Sequence, residues 1–213
     1  MVAGMFISVP ITSFRAPRAR EYLETLPVPP PSTVYGMLCA LVGETDSTRH
    51  IGAELAIGVL VPGERSRVLR LTWQTKKQDE PRGTGPNKGP DFQELLTGLQ
   101  IAVHVRRGVD AAEPPLADRV SHALDGPGTV SRFGGLSLGE STSLVDEVRG
   151  LRDGDRTGRS FWLLKSPSGP HTLPLWADHI SGAGTRWGQF EEAAMFSPLT
   201  PPEAAWARVE PPR

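Results

Sequence analysis

Three stretches of this sequence carry residue types that can hold a phosphate, and one of them also carries the outline of a nucleophile. From Arg65 to Lys88 the chain has Arg65, Arg67, Arg70, Lys76, Lys77, Arg82 and Lys88 against Asp79 and Glu80, a local excess of five positive charges. The formal net charge is −1, so attraction to a polyanion must come from such a patch rather than from the whole molecule. The same run also fits a solvated hairpin. Arg15, Arg18 and Arg20 form a second, smaller basic cluster. The segment Phe133-Gly134-Gly135-Leu136-Ser137-Leu138-Gly139-Glu140-Ser141 offers backbone amides and hydroxyls to an anion, or is an ordinary flexible loop. Its Gly135-Leu136-Ser137-Leu138-Gly139 core matches the G-x-S-x-G nucleophile elbow, with Asp178 and either His171 or His179 as triad partners. That chemistry needs a buried strand leading into a sharp turn and a helix, and residues 128–132 do not read as such a strand. His104 lies among strand residues just after the basic stretch, where a general base for RNA cleavage can sit. The other histidines, His50, His122, His171 and His179, show no metal-ligand spacing. The single cysteine, Cys39, excludes an internal disulfide and a thiolate cluster. No metal or cofactor is expected.

Elements of both periodicities are available to position these groups. Met5, Ile7, Val9 and Ile11 alternate with Phe6, Ser8 and Thr12 and predict a strand. Leu26-Pro27-Val28-Pro29-Pro30-Pro31 is a stiff polyproline-like stretch. After it Val34, Met37, Leu38, Leu41 and Val42 fall on one helical face, with Ser32 or Thr33 as the cap and Gly43 as the stop. Leu55, Ile57, Val59 and Val61 alternate; so do Leu69, Leu71 and Trp73. With Pro62-Gly63 between them, the two runs predict an antiparallel hairpin. Thr75 to Asp91 reads as a long polar excursion. Leu99, Ile101, Val103 and Val105 follow as a strand, with Gln100, His104 and Arg106 on its other face. A second helix after Pro114-Pro115 shares Leu116, Val120, Ala123 and Leu124 on one side. Strand, helix, strand, strand, helix is the opening of an α+β, ferredoxin-like βαββαβ unit. Its fourth strand is either Leu144–Val148 or Phe161–Leu164. Leu173 to Arg213, with Trp176, Trp187 and Trp206, reads as loops, short strands and a poorly ordered tail after Pro201.

Composition agrees with this reading. The 213 residues suit one domain with an appendage, and 23 Gly with 21 Pro favour strands and loops over a helical bundle. Basic residues are 19 Arg and 4 Lys, which fits either guanidinium recognition of phosphate or a GC-rich genome. No run reaches a membrane-spanning length and no basic n-region precedes an apolar stretch, so neither a membrane span nor a signal peptide is predicted. A lone cysteine suits a reducing, cytoplasmic setting.

Several of these segments together resemble one family. Phe14-Arg15-Ala16-Pro17, then Leu26 to Gly36 leading into Met37–Gly43, resembles the N-terminal signature of the Cas5 proteins. These are subunits of type I CRISPR Cascade complexes that hold the 5′ handle of the crRNA. Pro90-Asp91-Phe92-Gln93-Glu94-Leu95-Leu96 resembles the return arm of that family's long hairpin, the thumb. Phe133–Ser141 resembles its glycine-rich Leu-Gly-x-Ser loop. The matches keep their order from Met5 to about Val148, and the first motif looks closest to the branch named for the developmental protein DevS.

The resemblance implies a ferredoxin-like (RRM-like, RAMP) domain over residues 1–150, with a thumb at about 75–96 and a small, irregular C-terminal extension over 151–213. It implies a non-catalytic subunit that caps the crRNA 5′ handle, joins a CRISPR backbone subunit and a large subunit, and meets target DNA through the assembled complex, with no role for a membrane. The residues expected to bind RNA are Arg15, Arg18, Arg20, Ser32, Thr33, Tyr35, Lys76, Lys77, Arg82, Lys88, Arg132, Ser137, Gly139 and Ser141, of which the resemblance itself carries over Arg15, Arg18, Ser32, Thr33, Tyr35, Ser137, Gly139 and Ser141. One branch of the family cleaves precursor crRNA with tyrosine, lysine and histidine. This chain has only Tyr22 and Tyr35 and no Lys-His pair beside its thumb strand, which leaves the endoribonuclease as the alternative and the serine hydrolase as a remote one.

Overall fold

The alternation near the N-terminus becomes β1 (Val2–Thr12), which turns Met5, Ile7 and Val9 into a fully buried row. In the computed structural model, which describes residues 2–17, 22–73, 88–177 and 184–212, the chain then continues through β2 (Tyr22–Leu23), α1 (Pro31–Leu41), β3 (Glu54–Val61), β4 (Glu64–Trp73) and β5 (Lys88–Arg106). After these come α2 (Leu116–Asp125), β6 (Glu147–Gly150), β7 (Phe161–Lys165), β8 (His171–Ala177), β9 (Thr185–Ala194) and β10 (Ala207–Arg208). The described residues form a mixed, sheet-rich fold with few helices. The main sheet has the order β6-β1-β5-β3-β7-β9-β8.

Within this path every neighbouring pair is antiparallel, including β1 with β5, β1 with β6 and β3 with β5. Ile7 sits opposite Ile101 and Met5 opposite Val103, while Ile57 meets Val103 from the other side. That register lines up three strands' apolar residues on one face. Helices α1 and α2 close this face with Val34, Leu38, Leu116 and Val120, all fully buried. Burial of such side chains is the main stabilising term, about 1.5–3 kcal/mol each.

Helix α1 begins two or three residues earlier than the sequence suggests. Pro30 is its N-cap, Pro31 occupies the first position, and no side-chain cap is present. Proline fits there because the N–H it lacks would have had no helical partner. Ser32 and Thr33 therefore stand in the first turn and not at the cap. The stop is as expected: Gly43 has φ 69°, and the Glu44 amide donates to the Cys39 carbonyl at 2.8 Å.

Three expectations need correction. First, β3 and β4 do not pair with each other; both pair with β5, β3 along Gln100–Arg106 and β4 along Lys88–Thr97. Pro62-Gly63 joins two stretches that run along one side of β5 instead of folding back. Second, the far face of β5 is not a solvated polar face. His104 and Ala102 lie under Trp162, Met195 and Trp206, in a second buried cluster with Phe6, Ala56 and Leu60. Third, the chain after Pro201 is tied down. Trp206 is buried, the Arg106 guanidinium lies 4.3 Å from its ring centre, and β10 pairs with β3. Of the two segments proposed to complete the sheet, the first leads into β6 beside β1, and the second is β7 beside β3.

Candidate nucleic-acid interface

Four separate parts of the chain converge on a cleft of about 750 Å³. The end of β1 and the residues after it supply Ser13, Phe14 and Arg15. The start of α1 supplies Ser32, Thr33 and Gly36. The glycine-rich loop supplies Ser137, Gly139 and Glu140. The β8–β9 pair supplies Trp176 and Trp187. Arg15, Ser32, Thr33, Tyr35, Ser137 and Gly139, which span more than half the sequence, thus share one concave surface.

The loop is held there by backbone chemistry. The Thr12 hydroxyl donates to the Leu138 carbonyl, the Leu138 amide donates to Ser143 O at 3.0 Å, and the Asp146 amide donates to Ser8 O at 2.9 Å. Leu138 itself is fully buried and acts as the loop's anchor in the core. Gly139 has φ 102°, and a Cβ there would lie 2.6 Å from the Ser13 carbonyl oxygen. Only glycine allows this approach. It is what brings Ser137 beside the end of β1.

The charge distribution favours an anion. Arg15 is exposed and has no acidic partner among the described residues. The first turn of α1 carries no acidic residue, so its amide end keeps its partial positive charge. Glu140 is the one carboxylate among the described lining residues, and it accepts a hydrogen bond from Gln93 Nε2 at 2.8 Å. Tyr35 is buried: its hydroxyl donates to Ser47 O at 2.8 Å and its ring packs at 6.1 Å from Trp176. Burial pushes its pKa well above the ordinary tyrosine value. It is a wall of the cleft and not a free hydroxyl.

The remaining candidates are spread out. Arg132 and Ser141 are exposed but do not line the cleft. Lys88 begins β5. Arg18, Arg20, Lys76, Lys77, Arg82, Asp178 and His179 lie outside the described residues. Part of the basic stretch is neutralised across the β4–β5 ribbon: Arg65 and Arg67 approach Glu94 at 3.5 and 3.6 Å, and Arg70 approaches Asp91 at 3.7 Å. Glu94 is buried and would for that reason resist ionisation. Hydrogen bonds from the Tyr22 hydroxyl (2.9 Å) and the Thr25 amide (3.3 Å), with the two arginines, outweigh this and hold its pKa below the ordinary value. A count along the sequence missed this because the compensating acids stand on the return strand.

The catalytic alternatives gain no geometry. His104 is buried, with Nε2 at 2.8 Å from the Pro198 carbonyl oxygen, far from a solvent-facing role. Ser137 forms a β-bridge with Leu144, and the chain after it runs through turns into β6 rather than into a helix. His171 pairs with Glu192 at 3.0 Å, and no histidine is among the described lining residues. Cys39 is a packed thiol, its pKa pushed by burial up to about 11. The tryptophans were the residues that sequence reasoning left without a role; their only signal was an aromatic excess in a Pro- and Gly-rich region.

Comparison with known proteins places this geometry in context. The family model described as CRISPR-associated protein (Cas_Cas5) matches residues 6–155. A protein of Myxococcus xanthus (strain DK1622), "CRISPR-associated protein Cas5", is 42% identical over 190 residues, covering 87% of this chain and 88% of its own. Among solved structures, a chain of a "CRISPR RNA-guided surveillance complex" superposes with a TM-score of 0.60 at 18% identity, covering 90% of this chain and 89% of that one. A structure described as "Crystal structure of Cas protein" gives a TM-score of 0.55 at 15% identity, covering 91% and 94%. No helix among the described residues is long and apolar enough to cross a membrane.

Proposed function

Since this chain belongs to the CRISPR-associated Cas5 family, we propose that it is the non-catalytic subunit of a type I Cascade complex that grips the 5′ handle of the crRNA. The observation that carries this reading is the cleft itself: Arg15, Ser32, Thr33, Ser137 and Gly139 meet there from distant parts of the sequence. An exposed arginine, an open helix terminus and a hydroxyl-bearing loop suit a bent phosphate backbone and not an apolar ligand. Arg18, Arg20, Arg132 and Ser141 are counted in this reading as further RNA contacts outside the cleft lining, and the buried Tyr35 supports the cleft wall.

We read the order β6-β1-β5-β3 with α1 and α2 on one face as a ferredoxin-like unit spanning about residues 1–150, with 151–213 as its extension. The thumb is assigned to about residues 75–96, with the β4–β5 ribbon at its base, and Lys76, Lys77, Arg82 and Lys88 are counted among its RNA contacts. Leu69, Leu71 and Phe92 are exposed on this ribbon, and Leu69 and Phe92 are a direct cross-strand pair. An apolar face of this kind suits a protein neighbour, in this reading the first backbone subunit, with a large subunit and target DNA joining through the assembled complex. The chain then works in the cytoplasm with no cofactor.

The test is binding of single-stranded RNA carrying the repeat-derived 5′ handle, measured against salt. Affinity falls steeply as salt rises, and replacing Arg15, Lys76 and Lys77 together weakens it. Unchanged affinity in the triple variant, or handle nucleotides that crosslink to another subunit of the complex, overturns the reading.

A further inference from the structure

Trp187 occupies an unusual position for an indole. It lies on β9 opposite Pro174 of β8, and 42% of its surface is exposed. Trp162, Trp176 and Trp206 are each 6% exposed or less, and each belongs to a buried apolar cluster, whereas Trp187 belongs to neither. Packing of the fold does not account for it. What surrounds it is the cleft of Arg15, Ser32, Thr33 and Ser137. Trp176, on the same pair of strands, is buried against Tyr35, the ring centres 6.1 Å apart and the planes tilted by 40°, so this part of the cleft wall is anchored in the core.

Resting on the RNA-binding reading above, we propose that Trp187 is a stacking platform for one unpaired base of the bound RNA. A flat π-face beside a cation and an open helix end divides the labour for a single nucleotide: phosphate on one side, base on the other. Such a contact is tolerant of base identity, because every base presents a π-face. A peptide occupant fits less well. The described lining has one carboxylate, already engaged by Gln93, and its other polar groups are hydroxyls and a guanidinium, which suit an anionic backbone.

The experiment measures RNA affinity of the full chain and of Trp187→Ala, Trp187→Phe and Arg15→Ala, using single-stranded RNA of the handle sequence and a series in which each position in turn is abasic. Trp187→Ala lowers affinity by about five- to a hundredfold, while Trp187→Phe keeps most of it. Because no phosphate contact is lost, the slope of log affinity against log salt stays as in the unmodified chain; Arg15→Ala reduces it by about one. One abasic position weakens the unmodified chain by a similar factor and leaves Trp187→Ala unaffected. If Trp187→Ala binds within twofold of the unmodified chain while Arg15→Ala is weakened, the stacking role is wrong and the RNA-binding reading stands. If both bind normally, or the unmodified chain binds no single-stranded RNA, both fail. If Trp187→Ala impairs association with other protein subunits and not RNA affinity, the occupant is a protein and the inference is overturned. An equal response of Trp187→Ala and the unmodified chain to every abasic position overturns it as well.

Discussion

Gly4 and His104 are a directly opposed pair on β1 and β5, and a Cβ at position 4 would lie 2.8 Å from the imidazole Cε1. The ring is confined by Trp162 and Trp206 at 5.8 and 6.5 Å and by its hydrogen bond to the Pro198 carbonyl. It has no room to withdraw. Gly4→Ala is therefore expected to cost about 1–3 kcal/mol, read as a lower denaturation midpoint in urea. An unchanged midpoint would mean that the ring moves freely.

The same histidine makes stability depend on pH. Burial lowers its pKa from the ordinary 6.5, and the Pro198 carbonyl offsets this only in part. The unfolded chain then binds the proton more readily than the folded one, so this contribution is complete above about pH 6.5 and declines as pH falls below it. Urea midpoints of the unmodified chain and of His104→Gln across pH 5–8 test this. The variant loses the portion of the slope that begins near pH 6.5; parallel curves would remove His104 as the cause.

Glu94 is the hub that fixes the root of the ribbon, since its carboxylate meets Tyr22, Thr25, Arg65 and Arg67. Glu94→Gln removes the charge and weakens these contacts, at a cost of about 1–3 kcal/mol. Because the folded pKa is depressed below the ordinary 4.5, the carboxylate's contribution is complete above that value and is lost as pH falls through the folded pKa. Hydrogen exchange of the β2 and β5 amides at pH 7 and pH 4 reports it. Equal protection in the variant and the unmodified chain at pH 7 would refute the hub role.

Arginines on the ribbon and at the cleft are not equivalent. Arg67 approaches Glu94 at 3.6 Å, a carboxylate it shares with Arg65, and lies 5.6 Å from the Tyr22 ring centre, so part of its charge is compensated within the protein, and it stands on the ribbon and not in the cleft. Arg67→Ala should leave the salt slope of RNA binding unchanged, where Arg15→Ala lowers it. A reversed order in filter-binding titrations would move the RNA from the cleft to the ribbon.

Gly139→Ala should be costly on two counts: a left-handed backbone, φ 102°, and a Cβ at 2.6 Å from the Ser13 carbonyl. About 1–3 kcal/mol is expected. RNA affinity should fall as well, since the loop that carries Ser137 must shift. Gly128→Ala, where a Cβ meets nothing within 4 Å and φ is not left-handed, is the control. Equal stability of the two variants would show that the loop is not held as described.

Local periodicity determined what local physics can determine. The 3.6-residue pattern from Val34 to Val42 and the period-two runs in β1, β3 and β5 were legible because side-chain direction follows backbone geometry within a few residues. The Pro-rich approach and Gly43 marked the ends of α1 for the same reason. Partners across space were not legible. Pro62-Gly63 looked like a hairpin turn, yet both flanking strands take their hydrogen bonds from β5, a choice set by which long-range pairing buries most apolar surface. The charge of Arg65, Arg67 and Arg70 could be counted, but not the acids that face them from the return strand. Trp176 and Trp187 could be seen as residues, but not as one wall of a cleft whose other wall is Arg15, Ser32 and Ser137. Chemistry that depends on groups far apart in the chain exists only once the sheet has brought them together.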